Sequence, residues 1–317
     1  MNSHETAILQ LLLTRGIGQR TLDRVLQSAA ARGEEVGGAG VARPEWWQQF
    51  GLKPALAQAV AATREQAEQC GENLEGQDVF LLIKGSPGYP ERLSRYGGEA
   101  APAVLFGRGE RGLLDRPAVA FCGSRKASAQ GLTWTGAFAA RLAEAGMNVV
   151  SGYANGIDLE AHRAALAAGG GTTLVLAEGI LRFAPKPEVA ELLEAGRHLI
   201  LSEFAPRVSW SVGNAMQRNG TILGLSDAVV VVESGLEGGT FAAGKQALAE
   251  GRPLFVVDYP APPLSAEGNR HFLQDKGRPL PSGGSLEEGL ATVLGVARGE
   301  TVAPAGLEYE QRSLFED

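Results

Sequence analysis

The chain has 317 residues, 44% of them apolar, and a net charge of −7. That content can bury a large core in more than one domain, and no apolar run reaches the length of a membrane span. The negative field excludes a broad basic face, so any nucleic-acid site must be a focused pocket acting within about 10 Å, roughly the Debye length in dilute salt.

The N-terminus, Met1-Asn2-Ser3-His4-Glu5, lacks the basic and apolar regions of a secretory signal. Two cysteines, Cys70 and Cys122, suggest a reducing compartment without a disulfide scaffold, so the expected location is cytoplasmic. Cys122 sits in an apolar strand pattern and is expected to serve packing. Four scattered histidines do not assemble a zinc site, and neither metal nor cofactor is expected.

Residues 6–70 read as helical. Leu9, Leu12, Leu13, Ile17, Leu22, Val25 and Leu26 recur at helical spacing around Arg15-Gly16-Ile17-Gly18-Gln19-Arg20. The Gly-Ile-Gly turn resembles a helix-hairpin-helix, which can hold a DNA phosphate; an ordinary interhelix turn is the preferred reading. Trp46, Trp47, Phe50, Leu52 and Leu56 follow as helix-packing residues. Residues 78–110 hold short strands, Val79–Ile83 and Val104–Gly107, broken by the turn Gly85-Ser86-Pro87-Gly88-Tyr89-Pro90. This segment is expected to add an edge to a larger sheet.

From residue 117 strands and helices alternate. The apolar runs are Ala118–Cys122, Asn148–Ser151, Thr173–Ala177, His198–Ser202, Ala228–Glu233 and Pro253–Asp258. Helical patterns at 129–146, 157–168, 186–196, 214–225 and 239–251 separate them. Such apolar strands imply a parallel sheet covered on both faces, with ligands bound beyond the carboxyl ends of its strands. Beyond about residue 296 the chain reads as a flexible tail.

Four glycine turns accompany those ends: Gly123-Ser124-Arg125, Ser151–Asp158, Gln217-Arg218-Asn219-Gly220 and Gly238-Gly239-Thr240. Glycine allows close backbone approach, arginine offers a planar fork to phosphate, and a helix starting at the turn adds partial positive charge. Arg218-Asn219 is expected at or near a helix start, and Lys186 at the pocket rim. Asp158 reads as a helix cap and His162 as a helix-face residue contacting the loop. Each turn alone is also compatible with a plain strand-to-helix connection; four together point to a phosphate-binding edge.

In this order, Tyr89-Pro90…Leu93, Gly123-Ser124-Arg125, Ser151-Gly152-x-Ala154-x-Gly156-Ile157-Asp158-x3-His162, Ser202-Glu203, Arg218-Asn219 and the glycine turn resemble the DprA/Smf family (DNA processing protein A) over about residues 80–280. The resemblance implies an α/β fold: an extended Rossmann-like parallel sheet with a small helical N-terminal domain. The expected division is 1–75, a helical SAM/helix-hairpin-helix-like domain; 76–296, the DprA-type sheet domain; and 297–317, the tail. It further implies single-stranded DNA binding without catalysis, a homodimer, and loading of the RecA recombinase during DNA uptake in natural transformation. The expected phosphate-binding residues are Gly123, Ser124, Arg125, Lys126, Asn155, Gly156, Lys186, Arg218, Asn219, Gly238, Gly239 and Thr240.

Some positions depart from the family pattern. Ala215-Met216-Gln217 replaces a Phe-Pro before Arg-Asn, Phe183-Ala184-Pro185 replaces a Tyr-Pro, and Asp258-Tyr259-Pro260 replaces a Pro-Gly. No winged-helix segment is read at the C-terminal end, so a divergent member is expected. A second resemblance is to lysine-decarboxylase-like phosphoribohydrolases, whose glycine turn precedes a catalytic glutamate. Ala243 occupies that place here, which argues against the enzyme and leaves a nucleotide-ligand sensor, or a degenerate phosphoribohydrolase-like enzyme, as the alternative use of the pocket. In the tail, Gln311-Arg312-Ser313-Leu314-Phe315 resembles a sliding-clamp-binding pentapeptide, with Gln311, Leu314 and Phe315 as contacts; an incidental apolar terminus is the equal alternative.

Overall fold

A computed structural model of the chain describes residues 1–97, 100–195 and 197–300. The first helix, α1 (Ser3–Leu13), starts on a capping box in which the Asn2 side chain accepts the Glu5 N–H and the Glu5 carboxylate accepts the Asn2 N–H. Helices α2 (Gln19–Ala30), α3 (Pro44–Gln48), α4 (Pro54–Ala62) and α5 (Arg64–Glu75) follow, with proline opening α3 and α4 where no helical N–H is lost. Leu9, Leu22, Val25, Trp47 and Phe50 are buried together, as their spacing predicts.

The Gly16–Gly18 turn directs α2 onto the rest of the molecule. Gln19 donates to the Glu203 carbonyl at 2.9 Å and accepts the Ala103 N–H at 3.3 Å. Val79, Leu81, Ile83, Phe106 and Ile200 belong to the same apolar cluster as the N-terminal helices.

The sheet segment runs β1 (Phe80–Ile83), α6 (Glu91–Gly97), β2 (Val104–Gly109), β3 (Ala118–Cys122), α7 (Ala129–Glu144), β4 (Asn148–Ser151), α8 (Ile157–Ala167), β5 (Gly171–Val175), α9 (Ala190–Ala195), β6 (Arg197–Ser202), α10 (Val212–Gly224), β7 (Ala228–Val231), α11 (Gly239–Ala249), β8 (Leu254–Asp258), α12 (Asn269–Gln274), β9 (Arg278–Pro281) and α13 (Glu287–Ala297). The described strands form one sheet in the order β1-β2-β6-β5-β4-β3-β7-β8-β9. Pairing is parallel from β6 to β9, while β1 and β2 add an antiparallel edge, the role expected of residues 78–110.

Alternation sorts each strand between two layers. Val119 and Phe121 of β3 face a cluster with Phe138 of α7 and Ala161 of α8; Ala118, Ala120 and Cys122 face one with Leu93 of α6 and Ile222 of α10. Both faces are covered, so the all-apolar strand reading holds. The chain winds outward from β3 through β4, β5 and β6, then returns across to β7. The reversal between β4 and β7 at β3 is the switch point where a doubly wound sheet opens a crevice.

Several element boundaries move by a few residues, and two of the shifts have a visible cause. β5 begins two residues earlier than the apolar run because its polar residues are paired: Thr172 donates to the Val149 carbonyl and Thr173 to the Asn148 side chain. Helix α9 begins at Ala190 rather than 186, because Lys186 and the prolines around it form a turn whose N–H at Lys186 is taken by the Tyr153 hydroxyl. No helix among the described residues is long and apolar enough to cross a membrane.

Candidate functional site

The β3 turn is packed too closely for any residue but glycine. A Cβ on Gly123 would overlap Ile157, and one on Gly156 would overlap the Ser124 carbonyl oxygen. Gly156 also sits at φ 82°, which side chains disfavour. These contacts lock the first turn to the second, with the Ile157 N–H reaching Ser124 O at 3.3 Å. The third member joins from the other side of β3: Thr240 Oγ1 donates to Gly123 O at 3.1 Å, and Asn219 Nδ2 donates to Gly239 O at 3.2 Å. Lys186 Nζ donates to Asn155 Oδ1 and to Tyr153 O, both at 2.8 Å. The Lys126 N–H bonds Ser124 Oγ at 3.1 Å, and the Arg125 and Lys126 side chains are exposed.

One region therefore collects the expected residues from Gly123 to Thr240. Gln311, Leu314 and Phe315 lie outside the described residues.

The local setting of Arg218 differs from expectation. Gln217-Arg218-Asn219-Gly220 is not a turn but the middle of α10, which starts at Val212 because Ser211 Oγ accepts the Asn214 N–H. The Arg218 fork is only 6% exposed and lies beneath Gly152, where a Cβ would overlap the guanidinium. Its Nη1 is 4.0 Å from Asp158 Oδ2, and its Nε has no hydrogen-bond partner among the described residues. Burial lowers the Arg218 pKa against the pull of Asp158, while burial raises the Asp158 carboxyl against the pull of Arg218. Arg218 is thus a positive floor under the turns rather than an open fork.

Helix starts differ in a similar way. The helix after β3, expected to aim a free N-terminus at Arg125, begins at Ala129 and is closed by Ser128, whose Oγ accepts the Gly131 N–H and bonds Glu233. By contrast α8 and α11 start at Gly156 and Gly238 without a side-chain cap. The first turn of α8 carries Asp158 and Glu160, and that of α11 carries no acid. The α11 start, Gly238-Gly239-Thr240, is therefore the one among these best suited to an anion.

The surrounding polar groups are held in place. His162 is fully buried; its Nε2 lies 2.5 Å from Gly152 O and its Nδ1 2.7 Å from Thr172 Oγ1. Burial lowers its pKa to about 4, so a neutral ring donates its Nε2 proton to the Gly152 carbonyl, and its bare Nδ1 competes with the Val149 carbonyl for the one hydroxyl proton of Thr172. This is the loop contact expected of it. Asp158 does not cap α8 as expected: the N-cap is Gly156, and Asp158, inside the first turn, instead accepts the N–H of Ala154 in the preceding loop at 3.4 Å. Glu203 accepts from Gln217 at 2.7 Å and Thr221 at 2.9 Å, and burial raises its carboxyl. Burial also pushes the Cys122 thiol up to about 12, so it packs as a thiol, not a nucleophile.

Two participants escaped the sequence reading. Glu233, just past β7, is fully buried and bonded by the Ser128 N–H and the Ser265 hydroxyl. Trp210 is 47% exposed with the Arg125 guanidinium 5.4 Å from its ring centroid. Glu233 ends an apolar strand, but Trp210 stands alone between serines with no periodicity to mark it.

The profile of a family described as DNA recombination-mediator protein A matches residues 80–289. The chain is 35% identical over 234 residues to the protein Smf of Escherichia coli (strain K12), covering 73% of this chain and 62% of that protein. It is 35% identical over 184 residues to the DNA processing protein DprA of Streptococcus pneumoniae, covering 58% and 65% respectively. The chain thus spans less than two thirds of these relatives' length. The X-ray structure of DprA from S. pneumoniae superposes with a TM-score of 0.72 at 27% identity, over 92% of this chain and 98% of that one. A structure of DNA processing protein A from Helicobacter pylori, described for its single-stranded DNA binding mode, superposes with a TM-score of 0.57 at 25% identity, over 68% and 95%.

Proposed function

The chain belongs to the DNA recombination-mediator protein A (DprA/Smf) family, and on that premise we propose that it binds single-stranded DNA at the β4–β3–β7 edge without catalysis. One observation carries the reading: turns from three adjacent strands interlock at the switch point, beside exposed Arg125, half-buried Lys186 and the uncapped start of α11. Arg125 contacts phosphate directly, while buried Arg218 supplies potential from below. Backbone N–H groups carry no sequence information, so the binding is general. The single-strand binding described for the H. pylori protein supports the same choice of ligand.

The non-catalytic part rests on the carboxylates. Glu203 and Glu233 are each buried and engaged by hydrogen bonds, and Ala243 is packed in the core at 2% exposure. No carboxylate among them is free to act as acid or base on a glycosidic bond. The proposal extends to a cytoplasmic homodimer that delivers single strands to a RecA-type recombinase during DNA uptake.

Parallel titrations with a fluorescent single-stranded oligonucleotide and with mononucleotides test the reading. Strand binding that weakens with salt is expected. Tight mononucleotide binding without strand affinity would overturn it in favour of a nucleotide sensor.

A further inference from the structure

Four tryptophans occur in the chain, and three are accounted for by packing: Trp47 and Trp134 are buried, and Trp46 packs edge-on against Trp47 and Phe50. Trp210 is different. It is 47% exposed, and its indole N–H has no hydrogen-bond partner among the described residues. An indole is costly to leave in water, so a fixed and exposed one beside a charged site suggests a ligand surface.

The segment that carries the ring is held rather than loose. Behind it, Gly179 N–H donates to Val208 O at 2.8 Å, Leu181 N–H to Pro206 O at 3.0 Å, and Arg182 Nε to Arg207 O at 2.7 Å. Ahead of it, Ser211 caps α10 and Asn214 Nδ2 donates back to Ser209 O at 3.2 Å. The indole is therefore presented by a segment pinned on both sides, so little ordering entropy remains to be lost when a flat ligand lands on it.

Arg125 ties the ring to the phosphate site, since its guanidinium lies over the indole at 5.4 Å from the centroid. A cation and an aromatic surface thus stand side by side, matching the phosphate and the base of one nucleotide. Val212 and Met216, one helical turn apart at the start of α10, are 67% and 42% exposed and extend the apolar surface. The other aromatic beside the site, Tyr153, is spoken for: its hydroxyl accepts the Lys186 N–H, and its ring packs against Phe183 and Lys186 Nζ.

We propose that Trp210 is a base-stacking shelf, on which an unpaired base of the bound strand rests while Arg125 holds an adjoining phosphate. The inference rests on the single-strand reading of the site. It adds why an unpaired strand is chosen: only there is a base face free to stack, and every base has one, so stacking adds affinity without sequence preference.

The experiment compares full-length parent, Trp210→Ala, Trp210→Phe and Arg125→Ala, each titrated with an oligothymidylate and with an abasic strand of equal length. Trp210→Ala should bind the oligothymidylate about 5- to 150-fold more weakly, the range of one lost base–aromatic stack. Trp210→Phe should recover most of that loss, and the abasic strand should bind parent and Trp210→Ala alike. In the parent, strand binding should quench tryptophan emission, and the Trp210→Phe change should abolish the quench. Equal weakening of both strands by Trp210→Ala, or no weakening of either, overturns the shelf. Loss of binding in Arg125→Ala alongside a silent Trp210→Ala removes the shelf but keeps the single-strand site. A parent that binds neither strand removes the underlying reading itself.

Discussion

Gly152→Ala is the most direct probe of the buried floor. An added methyl falls on the Arg218 guanidinium, overlapping Nη1, Cζ and Nη2 together. The fork must move, and overpacking of this kind costs about 1–3 kcal/mol. Displacing the fork also separates it from buried Asp158. The 4.0 Å spacing makes this a loose pair, so the loss sits at or below the low end of the ~3–5 kcal/mol of a broken buried pair. We expect Gly152→Ala to cost about 3 kcal/mol, and Arg218→Ala a similar amount. The double variant, however, should cost little more than Arg218→Ala alone, because the atom group that the methyl strikes is gone. Equilibrium urea denaturation of the four proteins gives the coupling energy, expected near 2–3 kcal/mol. Additivity within about 0.5 kcal/mol would refute the placement of Arg218 under the turn.

Arg125→Ala should weaken strand binding at every sequence and reduce the slope of log K against log salt by about 0.7, one phosphate contact on a single strand; Arg64→Ala, on α5, should leave both unchanged. Burial holds His162 near pH 4 against about 6.5 in an unfolded chain, so the unfolded state takes up the proton first as pH falls. Its contribution, about 3 kcal/mol in full, is present above about pH 6.5 and lost down to about pH 4. Asp158 and Glu203, raised by burial, act in the opposite sense as they protonate. The measure is thus the stability difference between parent and His162→Gln across that window, and a flat difference would contradict a buried neutral ring. Asn269 donates to Val232 O and Val257 O and accepts the Ser234 N–H, tying the ends of β7 and β8. Asn269→Ala should cost about 3 kcal/mol in thermal or urea unfolding, near 1 kcal/mol for each lost bond.

Much of the sheet was legible because apolar runs and glycine turns are local signals. Ala118–Cys122 and Asn148–Ser151 form strands at the expected residues, and Gly123, Gly156 and Gly238 mark turns there because no side chain fits or the φ excludes one. Arg218 misled for the opposite reason. Asn219-Gly220 after an arginine looks like a turn, yet the Ser211 cap and the apolar face of Ala215, Ile222 and Leu223 carry the helix through it. A cap acts from seven residues away, where turn chemistry does not look.

The sequence by itself determined the alternation of strands and helices, the glycines at the strand ends and the family to which their order belongs. Those follow from backbone sterics and from burial periodicity, which operate over a few residues. Only the tertiary structure decided that β7 returns beside β3, that Arg218 is a buried floor and not a surface fork, and that Trp210 faces solvent under Arg125. Each of these depends on contacts between segments tens of residues apart, and desolvation and shared packing there are set by the whole fold.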